Sequence, residues 1–327
     1  MIRRMSPKLL AAMLLCLLVV LFAGTYGPLK PFVQAVKPQA AYVSSVQTNN
    51  SDDQLLTWIK SEAAKKSQAP INAVIDRIWK AIPGYDGRVV DIQATYQKAK
   101  LIGAMPGSEG DFPWVYREIR PKINLSDLPI APIYRGNSAK PMVALMINVA
   151  WGDEYLLPML DILKDSGVKA TFFFDGSWLS KHADLAKSIM AQGHEVSNHA
   201  YSHPNMSQLS DARQREEIAK TEALLKKLGV INVWFAPPSG DYNDRTVKLA
   251  SELGLRTVLW TLDTLDWKKP EPSTVVAKVS KQVSPGSLIL MHPTATSQGA
   301  LRGMINVIKG KGYSLGTVSE TLSSDRA

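Results

Sequence analysis

Two histidines four residues apart, His199 and His203, are the clearest chemical signal in the chain. They lie in a polar segment that ends at Pro204, and a proline disfavours a helical conformation for the residue before it. Neutral imidazole is a common ligand of zinc and similar divalent ions. The spacing therefore indicates a metal site where a strand passes into a loop. Turn histidines that only hydrogen-bond locally are the alternative.

The elements that must position this pair are read from the hydrophobic pattern after residue 141. Short apolar runs alternate there with segments of helical periodicity, several of which end at glycine. Strands are predicted at residues 142–147, 170–174, 195–197, 233–235, 256–260, 288–291 and 313–316. This order predicts a parallel sheet covered by helices. With about seven strands, we expect a distorted, incomplete (β/α) barrel, and an open doubly wound sheet is the alternative.

Polar residues follow the predicted strands at the points where they end. Because the carboxyl ends of parallel strands meet at one rim, these residues are expected to lie close together. Their joint placement favours a catalytic site over unrelated caps and core contacts. The set, in chain order, is Asn148, Asp153, His199, His203, the segment at 236–240, Asp263, Asp266, Trp267 and His292.

Residues 142–322 resemble the NodB-homology polysaccharide deacetylases, carbohydrate esterase family four, and most of all the membrane-anchored, sporulation-type branch of endospore formers. Four motifs carry the resemblance: His199-Ala200-Tyr201-Ser202-His203, Lys169-Ala170-Thr171-Phe172-Phe173, Asp263-x-x-Asp266-Trp267 and Leu290-Met291-His292. The resemblance implies a distorted parallel barrel that binds a divalent metal, zinc or a similar ion. It also implies removal of acetyl groups from N-acetylated glycans such as chitin-like or peptidoglycan chains.

The resemblance also implies roles for individual residues. In such enzymes an Asp, His, His triad holds the metal, a second Asp is the general base, and a distant His protonates the leaving amine. By position, His199 and His203 are metal ligands and His292 is the acid. Asp263 or Asp266 orients that acid. The predicted substrate-binding residues are Trp151, Trp267 and Pro237, and packing at the rim is the alternative for the two tryptophans.

The chain departs from the family pattern at the base. Where the family reads Thr-Phe-Asp-Asp-Gly, this chain places Asn148 at the base position, and an asparagine cannot accept a proton at useful pH. The metal carboxylate has no direct counterpart, although Asp153 is a candidate to reach inward. Ala236 stands where the family has an arginine that orients the base. Without the carboxylate this arginine would be a buried, unpaired cation, so the two losses are expected together.

The N-terminus predicts export. Arg3, Arg4 and Lys8 precede an apolar run at residues 9–23, which is typical of a signal peptide or, if it is retained, a membrane anchor. The only cysteine, Cys16, lies in that run, so the exported part has no disulfide. We therefore expect an extracytoplasmic protein, secreted or membrane-anchored.

Residue patterns divide the chain into five predicted segments. They are a signal peptide or anchor at 1–27, a linker at 28–50, a helical region at 51–120, a proline-rich connector at 121–140 and the deacetylase-like domain at 141–322. Within the helical region at 51–120, helices are predicted near residues 55–59, 71–79 and 89–100. The formal net charge of +9 is spread over isolated lysines and arginines, so nucleic acid is not an expected partner.

Two function classes remain open from the sequence. One is an exported, metal-dependent deacetylase with rearranged chemistry. The other is a non-catalytic glycan-binding protein or wall or spore assembly factor that keeps the barrel groove. A metalloprotease is excluded, because the histidine after His194-Glu195 comes five residues after His194, whereas a metalloprotease helix needs four.

Overall fold

The computed structural model describes residues 48–107 and 112–327. The described residues form two compact units, 48–61 with 96–107 and 112, and 62–95 with 113–327. The predicted export segment and Cys16 precede residue 48 and lie outside the described residues, as does nearly all of the predicted linker. No helix within the described ranges is long and apolar enough to cross a bilayer.

The region before the barrel mixes helices with short strands. Its elements are helix α1 (Thr48–Lys66), strands β1 (Val74–Asp76), β2 (Lys80–Ile82) and β3 (Gly87–Val90), helix α2 (Ile92–Ile102) and strand β4 (Tyr116–Ile119). Strand β1 pairs antiparallel with β2, and β3 pairs antiparallel with β4.

The helix predicted near residues 71–79 is wrong, because this segment forms the β1–β2 hairpin. The Asp76 carboxylate accepts hydrogen bonds from the backbone N–H groups of Ile78 and Trp79, both at 2.7 Å, and so fixes a tight turn. The β-branched side chains of Val74 and Ile75 suit a strand. The apolar residues of the segment recur at three-and-four spacing, which is also the pattern of an amphipathic helix, although the segment forms a hairpin.

The barrel predicted from the sequence is confirmed. Seven parallel strands lie side by side in the order β10-β11-β5-β6-β7-β8-β9, and β12 pairs with the start of β5. The strands are β5 (Met142–Val149), β6 (Thr171–Phe174), β7 (Glu195–Asn198), β8 (Trp234–Phe235), β9 (Arg256–Thr257), β10 (Leu262–Asp263), β11 (Leu288–Met291) and β12 (Ser314–Gly316).

Helices follow most of these strands. They are α3 (Asp153–Asp165), α4 (Gly176–Lys181), α5 (Ala183–Ala191), α6 (Asp211–Lys227), α7 (Asp244–Glu252), α8 (Pro272–Gln282), α9 (Ala295–Gly310) and α10 (Val318–Leu322). The helical segment after β6 is broken at His182 into α4 and α5. The backbone of His182 leaves the helical region there, with φ −124°.

The extended segment before β5 lies against the barrel wall. The backbone of Ile133 hydrogen-bonds to Thr257 and Leu259 beside β9, and Gly136 donates to Gly286 just before β11. Ile133 itself is fully buried in the barrel interior. This segment therefore bridges part of the opening between the strands at the two ends of the sheet.

Strand β5 separates two apolar layers and so decides which of its side chains reach the site. Ile147 and Val149 pack with the outer helices, whereas Ala144 and Met146 belong to the interior cluster. Because side chains alternate along a strand, Asn148 lies on the same face of β5 as Ala144 and Met146. It therefore faces the barrel interior at the carboxyl end of β5.

The loops after β5 and β11 touch through their backbones. Gly152, which precedes α3, has φ +86°, a conformation that side-chain-bearing residues rarely adopt. A Cβ atom added there would lie 2.0 Å from the carbonyl oxygen of Pro293, the residue after His292. Only glycine fits this close approach.

Candidate functional site

A cavity of about 400 Å³ opens at the carboxyl ends of the strands. The rim residues predicted from the sequence that line it are Asn148, Trp151, His199, His203, Asp263, Trp267 and His292. Ser239, in the segment at 236–240 that was expected on the rim, also lines it. Trp260 lines it as well, and the sequence analysis did not single it out because the predicted strand at 256–260 included it.

His199 is held rigidly at the end of β7. Its backbone N–H donates to the carbonyl of Phe174 on β6, and its ring Nδ1 lies 2.7 Å from the carbonyl oxygen of Ala236 after β8. A carbonyl only accepts, so Nδ1 carries the hydrogen and Nε2 keeps its lone pair. Burial, reinforced by the nearby His203 ring, lowers the pKa of His199 to about 3. His199 is therefore a neutral imidazole at physiological pH.

His203 faces His199 across a strained turn. The two ring centroids are 5.1 Å apart, with the rings close to perpendicular. Ala200 and His203 have φ values of 61° and 55°, in the left-handed region that non-glycine residues seldom occupy. The turn that brings the two imidazoles together therefore needs support from its surroundings.

Glu217 on α6 gives that support. Its buried carboxylate accepts hydrogen bonds from the backbone N–H groups of Tyr201 (3.0 Å) and Ser202 (2.8 Å) and from the Ser202 hydroxyl (2.9 Å). Arg213 Nη2 forms an ion pair with Glu217 Oε1 at 3.1 Å. A helix thus fixes the loop between the two histidines.

Glu217→Ala is expected to lower the free energy of unfolding by about 2–4 kcal/mol, because it leaves two backbone donors without an acceptor. Amide hydrogen exchange at Tyr201 and Ser202 is expected to accelerate. The matched control is Glu216→Ala, which removes only surface ion pairs to Arg213 and Lys220 and should change little. Unchanged exchange at the two amides in Glu217→Ala would contradict the proposed support.

A third histidine of the cavity, His292, directly follows β11. His292 Nδ1 lies 3.0 Å from Asp266 Oδ1, and its backbone N–H donates to Asp266 Oδ2 at 2.8 Å. The hydroxyls of Thr264, Thr294 and Ser297 complete the shell of this fully buried carboxylate. Burial alone raises the pKa of Asp266, but the hydrogen bond and charge of His292 outweigh it and hold the pKa below its usual range.

The structure distinguishes the two aspartates that were left open as partners of His292. Asp266 orients the ring from beneath the cavity. Asp263 lines the cavity, and its carboxylate accepts the backbone N–H of Leu265 at 2.8 Å. Trp151 stacks on His292 with ring centroids 5.9 Å apart and an interplanar angle of 10°.

Two predicted site residues lie elsewhere. Asp153 begins α3, and its carboxylate is held by Trp178 Nε1 and by His182 Nε2, the latter at 3.0 Å. The expected inward reach of Asp153 is therefore not observed. Pro237 is buried and does not contribute to the lining. The turn Pro238–Gly240 presents Ser239 instead, with φ 56°.

The residues present do not complete the metal site that the family pattern implies. A catalytic zinc site uses three protein ligands, and here His199 and His203 supply two imidazoles. Asp153 is committed to Trp178 and His182. Within residues 48–107 and 112–327, no three His, Cys, Asp or Glu side chains are grouped so as to hold a metal ion. The donor set therefore does not fit a catalytic zinc.

Comparison with known proteins agrees with this fold. Residues 135–258 match the polysaccharide deacetylase family model. A peptidoglycan-N-acetylglucosamine deacetylase of Bacillus cereus is 32% identical over 55% of this chain and 88% of its own length. The chain belongs to the polysaccharide deacetylase family.

Two further relatives cover most of the chain. An uncharacterized protein of Bacillus subtilis, YlxY, is 44% identical over 86% of this chain and 88% of its own length. The crystal structure of a CE4 family pseudoenzyme from Bacillus anthracis superimposes with a TM-score of 0.78 at 43% identity, over 84% of this chain and 96% of that one. The crystal structure of a mutant of that pseudoenzyme, described as having restored enzymatic activity, superimposes with the same TM-score of 0.78. It is 42% identical over 84% of this chain and 99% of the mutant chain.

Proposed function

We propose that this protein is an exported glycan-binding member of the deacetylase family that has lost hydrolysis. One observation carries the proposal: a carboxamide, Asn148, stands in the cavity where the family places its general base. A base must take a proton from the attacking water, and a carboxamide has no basic site at neutral pH. The incomplete metal donor set supports the same conclusion.

The features that serve binding are retained. Trp151 and Trp267 are each about half exposed on the cavity wall, at 47% and 50%, and indole faces of this kind stack on sugar rings. The His292–Asp266 pair is also intact, so a proton donor for a leaving amine is present without the base that would begin the reaction. A site that has a proton donor but no base favours glycan binding over hydrolysis.

The ligand we propose is an N-acetylated glycan of the cell wall. The names of the Bacillus cereus deacetylase and of a Bacillus subtilis N-acetylmuramic acid deacetylase, which is 27% identical, support peptidoglycan. The predicted apolar run at 9–23 supports an extracytoplasmic location with a membrane anchor. We assign the ligand site to the proposed domain at 141–322 and place the protein in the sporulation-type branch.

The test is to measure binding of N-acetylglucosamine oligomers and acetate release on the same samples. We expect wild type to bind the oligomers and to release no acetate above the level of His292→Ala. Acetate release by wild type that is abolished in both His199→Ala and His292→Ala would show an enzyme instead. Metal content measured in parallel would show whether two imidazoles retain zinc.

A gain of activity is the complementary prediction. Asn148→Asp returns a carboxylate to the cavity, and Ala236→Arg gives it a cationic partner. The restored mutant of the related pseudoenzyme supports this approach. We expect the double variant to release acetate above the wild-type background, and each single variant less. A folded double variant without any gain would contradict the pairing of these positions.

A further inference from the structure

A second cavity, of about 170 Å³, lies beside the first residue of β9, away from the candidate site. The extended segment at 125–131, the helix α7 and the two residues of β9, Arg256 and Thr257, form most of its walls. It shares no lining residue with the cavity at the carboxyl ends of the strands. A ligand bound here would therefore be separate from the proposed glycan.

Arg256 is the only charged residue that lines this cavity, and no carboxylate balances its charge. Its half-buried side chain makes one hydrogen bond to the described residues, from Nη1 to the carbonyl of Leu125 at 2.9 Å. Burial lowers the pKa of Arg256, and no neighbouring charge opposes that effect. Arg135, which is similarly buried, has two carbonyl acceptors, the Trp79 ring and the charge of Asp76. Arg256 thus keeps donors for an anion.

The walls of the cavity set the charge and the size of that anion. A single cation neutralises a single negative charge, so a carboxylate fits and a phosphate dianion would stay half unpaired. A guanidinium pairs with a carboxylate through two parallel hydrogen bonds. The volume of 170 Å³ is the share of roughly six water molecules at ~30 Å³ each, so it admits about six non-hydrogen atoms. A carboxylate on a residue the size of alanine meets both limits.

The amine of such a residue must be acylated. A free amino acid carries an ammonium group, which would be repelled by Arg256 and would find no acidic residue on the cavity wall. An acylated amine is neutral and offers one N–H donor. The hydroxyls of Ser126 and Ser251 line the cavity and make no hydrogen bond to another described residue, so either can accept it. Leu128 and Val247 supply apolar contact for a methyl group.

We infer that this cavity binds the C-terminal carboxylate of a peptide that ends in alanine or a residue of similar size. Arg256 pairs with the carboxylate, and a serine hydroxyl accepts the N–H of the last residue. Ile130 is 63% exposed and also lines the cavity, so it covers the preceding residue of the peptide. The inference is independent of glycan binding, because the two cavities are separate.

The experiment is isothermal titration of the full chain with acetyl-alanyl-alanine, with its C-terminal amide and with free alanine, at pH 7 and low salt. We expect wild type to bind the acylated acid at least about tenfold more tightly than the other two. The D and L forms are titrated separately, because protein chains end in L residues whereas wall peptides also contain D residues. Binding of either form supports the inference, and the tighter one identifies the source of the peptide.

Two variants test the site in different ways. Arg256→Gln removes the cation and should weaken binding of the acid at least about tenfold. Ser251→Leu keeps Arg256 and fills the cavity, and we expect a loss of similar size. Arg245→Gln is the matched control, since Arg245 lies on the same helix, pairs with Asp211 and does not line the cavity.

Arg245→Gln should leave the affinity unchanged, and thermal unfolding checks that each variant is folded. Binding of the amide or of free alanine as tightly as the acid would overturn the inference. So would unchanged affinity in a folded Arg256→Gln or Ser251→Leu, or no binding of the acid by wild type. The proposed glycan binding would be unaffected by any of these results.

Discussion

Replacing Asp266 with alanine is expected to lower the free energy of unfolding by about 3–5 kcal/mol, which is the usual result of removing one partner from a buried charge pair. The carboxylate is fully buried, and it accepts hydrogen bonds from His292 and three hydroxyl groups. The substitution leaves His292, Thr294 and Ser297 without this acceptor, whereas the Thr264 hydroxyl can still donate to the carbonyl of Leu290. Denaturant unfolding of wild type and variant measures the difference directly.

Asp263→Ala is the matched control for this measurement. Asp263 belongs to the same motif, but it is half-buried and accepts one backbone hydrogen bond, from Leu265. We expect a loss of about 1 kcal/mol or less. Equal losses in the two variants would contradict the assignment of Asp266 as the residue that orients His292.

The second large effect concerns acid sensitivity and comes from His194. This residue is 6% exposed, its Nδ1 accepts the backbone N–H of Ala170, and burial, with the charge of Lys169, lowers its pKa from 6.5 to about 4. Below pH 6.5 the unfolded chain therefore binds a proton that the folded chain does not. The stability contribution is complete above pH 6.5 and is lost progressively as the pH falls to about 4. The expected loss is about 3 kcal/mol.

His194→Asn isolates this contribution, because an asparagine oxygen can still accept from Ala170 and does not titrate in this range. The free energy of unfolding of wild type should fall more steeply between pH 6.5 and 4 than that of the variant. His199 contributes equally to both proteins and cancels. Parallel pH profiles would show that folding does not lower the pKa of His194.

The barrel could be predicted from the sequence because its strands are continuous apolar runs separated by helices that end at glycine. Because the carboxyl ends of parallel strands meet at one rim, His199, His203, Asp263 and His292 were expected to lie together, and the structure brings all four to one cavity. Strand β10 was missed because two residues, Leu262 and Asp263, are too few to show a pattern.

The remaining features depend on contacts between distant residues, which a local pattern does not contain. Asp153, after the loop that follows β5, was a candidate to reach into the cavity. Its carboxylate instead contacts Trp178 and His182 and does not line the cavity. The hairpin at residues 71–79 has the spacing of a helix and is fixed instead by the turn at Asp76. The lack of a carboxylate beside Arg256 likewise becomes visible only when its neighbours are placed.

The close approach at Gly152 constrains how this lineage can diverge. The stretch bearing Asn148 and Trp151 abuts the stretch bearing His292 through main-chain atoms, so lengthening or shortening either one disturbs both walls together. Exchanges of single side chains, which leave the main-chain path unchanged, are therefore the changes that this rim tolerates best. Aspartate and asparagine, which are nearly identical in shape, are the kind of exchange that such a path permits.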